Sequence, residues 1–133
     1  MAFSVEKLSG ESILILEMSD PIEDLVGDLQ ELYSLTAGII EEIEGPVYRI
    51  FNIHAGDLEF NHMLEWLGVA YRGGRGSVSD DRARTILVGP DDLVTFFSNS
   101  LKQEQYGSIE VRVASSLDAA IAMAREELAR ASS

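Results

Sequence analysis

The chain has 133 residues, 46% hydrophobic and 25% charged, a length that suits one domain around one core and a composition that is globular and not disordered. A formal net charge of −13 excludes a general nucleic-acid or anionic-membrane binder, because phosphate contacts need Lys and Arg in excess. Cysteine is absent, which excludes disulfides, thiolate nucleophiles and Cys-ligated metals.

The opening reads as a hairpin: Phe3 to Leu8, a turn at Ser9-Gly10, then the β-branched apolar run Ser12 to Met18. Ser19-Asp20-Pro21 follows, with Asp20 as the expected N-cap, Pro21 at the first helical position and Glu23 at capping-box spacing. The apolar positions Ile22, Leu25, Val26, Leu29, Leu32, Tyr33, Thr36, Ile40 and Ile43 then share one helical stripe that ends near Gly45-Pro46, with a kink expected at Gly38. Val47 to Ile53 is the next strand, and Leu58, Met63, Leu64, Leu67, Ala70 and Tyr71 mark a second helix. Arg72 to Ala83 has no apolar period and reads as a long loop. Thr85 to Val88 is a strand, and Gly89-Pro90-Asp91-Asp92 starts a helix that runs through Leu101 and ends by Gly107. Ile109 to Ala114 is the last strand, and Ser116 caps a closing helix through Leu128.

These elements predict a single α/β domain over residues 1–133, in the order ββαβαβαβα. The sheet is mostly parallel, with an antiparallel N-terminal hairpin strand. No stretch approaches the roughly 20 apolar residues of a membrane span, and the N-terminus lacks the basic start and apolar core of a signal peptide, so a cytoplasmic protein without a membrane span is expected.

The element order, the acidic capped turn after the strand at 47–53 and the closing Ser116-Leu117-Asp118-Ala119-Ala120-Ile121 pattern resemble the STAS domain superfamily, which includes bacterial anti-sigma-factor antagonists and a related lipid- or ligand-binding branch. The resemblance implies a non-enzymatic regulatory domain that works through a protein or a small ligand. In the antagonists a phosphorylatable serine stands at the start of the helix after the middle strand. Here that stretch is His54-Ala-Gly-Asp57-Leu-Glu59, without Ser or Thr. Asp57 either places a permanent negative charge there or is a plain N-cap.

The expected carboxyl ends of the strands carry Ser19-Asp20, His54 to Asp57, Gly89 to Asp92 and Ser115-Ser116, and open α/β sheets bind ligands at that end. Gathered acids there could hold Mg²⁺, as in a receiver domain, which makes a receiver-like signalling domain or small enzyme the rival reading. Receivers present a Lys after the last strand, whereas Ile109 to Ser116 contains Arg112 and no Lys, and each acid also has a capping role open to it. The only histidines, His54 and His62, lack zinc-site spacing, so no metal is expected. His54 serves either as a base beside Asp57 and the serines at 115–116 or as a polar surface residue.

Two further features stand out. Residues 1–66 carry 14 acidic and 2 basic side chains against 9 and 8 over 67–133, so an anion site belongs in the second half. There Arg72-Gly-Gly-Arg75-Gly-Ser77 combines forked donors with flexible backbone, and Arg72, Arg75 and Ser77, with His54 and Asp57, are the candidate residues for a small anionic or lipid-like ligand. The first helix is acidic with no Lys or Arg, yet Leu35 and Ile39 fall outside its main stripe. With the hairpin strand at a sheet edge, they predict a homodimer or protein-partner surface. No cofactor and no catalysis are expected.

Overall fold

In the computed structural model, described over residues 3–18, 24–53, 60–72, 83–89, 91–103 and 111–132, the chain is an α/β fold in the expected order. The strands are β1 (Phe3–Lys7), β2 (Ile13–Met18), β3 (Val47–Asn52), β4 (Ala83–Val88) and β5 (Arg112–Ala114). The helices are α1 (Leu25–Glu41), α2 (Phe60–Arg72), α3 (Asp91–Leu101) and α4 (Leu117–Ser132). No helix among the described residues is long and apolar enough to cross a membrane.

The five strands lie side by side in sequence order, β1-β2-β3-β4-β5; β1 is antiparallel to β2 and the other pairs are parallel. The hairpin closes through a left-handed Gly10 at φ 75° and a Leu8 N–H to Ile13 O bond of 3.0 Å. Flavodoxin-like and receiver folds instead place β1 between β2 and β3, so the sequential order separates this chain from both.

Right-handed crossovers that all step in the same direction put their helices on one face of the sheet. Accordingly α1, α2 and α3 share a core with Leu14, Leu16, Val47, Phe51 and Leu87. At its centre Trp66 is 1% exposed and meets the rings of Phe3, Phe51 and Phe97 at 5.9, 5.3 and 4.9 Å. Helix α4 lies on the opposite face, where Ala120 and Ala124 pack on Ile13, Tyr48, Ile50, Ile86 and Val88. Strand β3 is therefore covered on both sides, and Val47 to Phe51 are all buried.

The structure corrects several boundaries. The cap of α1 is Asp24, whose carboxylate accepts the Gly27 N–H at 3.2 Å. Gly27 makes this approach workable, because a Cβ there would lie 2.3 Å from Asp24 Oδ2. The proposed cap Asp20 lies outside the described residues. Helix α1 runs on through Gly38 and gives way to a left-handed Gly45 at φ 84°. Arg72 ends α2 and Ala83 begins β4, so both leave the loop assigned to them. Ser116 caps α4 as expected, its Oγ accepting the Ala119 N–H at 3.1 Å.

Candidate functional site

The two faces and two edges of the sheet offer different chemistry. On the three-helix face a polar thread crosses the core. Arg49 of β3 is fully buried, and its Nε donates to Thr85 Oγ1 on β4 at 3.1 Å, across the register that pairs the two residues. Tyr33 of α1 accepts the Trp66 indole N–H at 2.9 Å. Burial pushes the Tyr33 phenol up to about 12; the Trp66 hydrogen bond and the Arg49 charge work in the opposite direction. Arginine keeps its charge at any ordinary pH, so this thread holds a permanent cation inside an apolar core. The sequence signal for it was a lone arginine in the otherwise apolar strand Val47 to Phe51, and the periodicity reading did not use it.

On the other face, Glu127 of α4 takes the Tyr48 hydroxyl from β3 and the Arg112 guanidinium from β5, tying the helix to the sheet. Nearby, Arg125 grips Glu11 with two hydrogen bonds of 2.7 and 3.0 Å. That grip holds the Glu11 carboxyl below its usual range and the guanidinium above its own. Both residues line an open hollow of ≈ 430 Å³ with Gly10, Ser12, Glu44 and Leu128. The hollow lies at the amino ends of β2 and β3, away from the end where α/β sheets hold ligands, and the Arg125 charge is already used on Glu11.

At the carboxyl ends, β3 and β4 close tightly. Ile53 N–H donates to Val88 O, and a Cβ on Gly89 would lie 2.6 Å from Ile53 O. Asp91 and Asp92 are exposed in the first turn of α3. Among the described residues no group of three or more acids and histidines is arranged to hold a metal. His54, Asp57, Arg75 and Ser77 lie outside the described residues.

The outer side of the molecule is where the structure brings two expected features together. Strand β1 is the edge of the sheet, and α1 packs against it. The flank of α1 that meets α2 is marked by Tyr33, bonded to Trp66. Leu35 stands about 200° around the helix from Tyr33 at 3.6 residues per turn, so it faces away from α2 and over the β1 edge. It is 47% exposed. Ile39, one turn on, is half-buried and packs against the core, as does Val5 of β1. The open flank is thus Leu35 alone, bordered by Glu31, Gly38 and Glu42, all exposed.

The alternation of the hairpin fixes which backbone groups of β1 point outward. Leu8 and Ile13 form a hydrogen-bonded pair. By the antiparallel alternation Glu6 and Ser4 also bond to β2, and Phe3, Val5 and Lys7 direct their N–H and C=O groups away from it. Among the described residues no strand pairs with β1 on that side.

Comparison with known protein families, curated proteins and solved structures found no match to the chain.

Proposed function

We propose that the protein is a non-enzymatic regulatory domain, STAS-like in character, that works by contact with another protein through the outer flank of α1. The observation that carries this reading is Leu35: a large apolar side chain, 47% exposed, on a helix with no Lys or Arg, next to the edge of the sheet. Leu64 of α2 is exposed almost as far, at 46%, so what sets Leu35 apart is its place on an acidic helix beside the sheet edge. A partner fits it by offering a small apolar socket rimmed with basic groups, because Glu31 and Glu42 border the leucine and the whole chain carries −13.

A photo-crosslinking side chain at position 35, with Asp118 of α4 as the control position, tests this in cells that make the protein. The expected result is one discrete adduct from position 35 and none from 118. The adduct's partner is then identified by mass and its affinity measured with purified components, where Leu35→Glu should abolish binding. Equal adducts from both positions, or binding unaffected by Leu35→Glu, would overturn the reading.

A further inference from the structure

We infer that a second copy of the chain adds to the edge of β1 with which no described strand pairs, antiparallel across a two-fold axis at Val5, and that this pairing covers the Leu35 flank. The pairing stands on the backbone of β1; its consequence for regulation rests on the protein-contact reading above.

The register follows from which groups point outward. Phe3, Val5 and Lys7 offer theirs, so a second β1 must place these residues opposite one another in hydrogen-bonded pairs. With the axis at Val5, Val5 meets its own copy, and Phe3 meets Lys7 of the second copy in both directions. Every outward N–H and C=O of the strand is then satisfied. The intervening residues pair Ser4 with Glu6, so no like charges stand directly opposite. Moving the axis to Ser4 leaves Lys7 unpaired, and moving it to Glu6 sets two carboxylates against each other. Self-complementarity of this kind is what a two-fold interface demands, since the same patch must serve both partners.

The helix layer follows the strand. Because α1 packs on β1 and turns Leu35 outward over that edge, joining two edges brings the two α1 helices side by side with Leu35 between them. The acids of that flank, Asp28, Glu31 and Glu42, then lie close to the acids of the second copy. Their repulsion makes the dimer weak at low salt and stronger as salt screens it over roughly 8 Å at physiological ionic strength. In the dimer the contact flank is closed and in the monomer it is open, so self-association competes with any basic partner.

The native chain has no cysteine, which permits a direct test of register. Single Val5→Cys, Ser4→Cys and Glu6→Cys chains are oxidised under the same mild conditions, and sedimentation equilibrium is run on the unaltered protein at low and high salt. Val5→Cys should cross-link readily, because a hydrogen-bonded pair holds its Cα atoms at about 5.5 Å, within disulfide reach. Ser4→Cys and Glu6→Cys should not. Dimer should grow with salt and with micromolar protein. Val5→Pro removes an outward N–H while sparing the bonds to β2, and should weaken association roughly tenfold or more through the bonds lost at the axis. Leu35→Glu, at an exposed position, should do the same and guards against a folding defect in the proline variant. Faster cross-linking at position 4 or 6, or a dimer indifferent to both variants, overturns the inference. A monomer at every salt concentration overturns it too, while a discrete partner captured at position 35 would leave the protein-contact reading standing.

Discussion

Replacing Tyr33 by Phe should destabilise the protein at neutral pH and do so less and less as the pH rises above 10. At neutral pH the change strips Trp66 of its acceptor, the Tyr33 oxygen at 2.9 Å, in a place where Trp66 is 1% exposed and water cannot substitute. An orphaned buried donor costs about 1–3 kcal/mol. The pH dependence comes from the same hydroxyl. Its pKa rises from 10.0 in the unfolded chain to about 12 in the fold because burial disfavours the phenolate. The protonated phenol is then favoured by folding, a stabilisation fully present below pH 10 and lost as the pH climbs through about 12. Two pH units at 1.36 kcal/mol each make the loss about 2–3 kcal/mol. Urea denaturation of the native chain and of Tyr33→Phe, run in steps from about pH 8 to about pH 12, measures the gap between them, and the difference cancels the other tyrosines. The gap should close or reverse at the upper end. A gap that stays constant across that range, or no gap at all near pH 8, would refute the assignment of a buried, hydrogen-bonded phenol.

Asp24→Ala should cost about 0.5–2 kcal/mol in denaturant melts, since it removes the side-chain acceptor at the start of α1. Gly89→Ala should destabilise by about 1–3 kcal/mol, read the same way, because the new Cβ would lie 2.6 Å from the Ile53 carbonyl oxygen and force the two backbones apart. Thr85→Val removes one acceptor of a buried cation and should cost about 1.5–3 kcal/mol, whereas adding it to Arg49→Met should cost much less, giving a large coupling in a double-mutant cycle.

The order of elements was legible because it rests on local periods: alternating and continuous apolar runs for the strands, one stripe for each helix. The start of α1 was less so. Asp20 with Pro21 and Asp24 both satisfy the rules for a helix start, and the choice between them turned on Gly27 leaving space for the Asp24 carboxylate. Ile39 shows a different limit. On a helical wheel it falls beside Leu35, but the edge of the sheet continues beneath that flank and gives Ile39 a core to join. Nothing local says that α1 lies over that edge strand. Arg49 was hidden for the same reason, as its partner Thr85 is 36 positions away and only the register of β3 on β4 brings the two together. Of the candidate site, Leu35 and the edge strand were visible separately; their presence on one side of the molecule was not.

That side matters because of what the strand order withholds. In doubly wound sheets the ligand crevice opens where the order reverses and neighbouring strands send their helices to opposite faces. Here the parallel strands advance without reversal, all three crossover helices share one face, and the carboxyl ends of β3 and β4 are drawn tightly together at Gly89. The strand order supplies no reversal of the kind that opens such a crevice. It also makes an edge, since among the described residues no strand pairs with β1 on its outer side. Proteins usually guard such edges with charge or distortion. Strand β1 carries Lys7 at its end and Glu6 on the face away from α1, while Val5 at its centre lies under α1. An edge so lightly guarded, with an exposed leucine above it, is the surface on which the proposed protein contact rests.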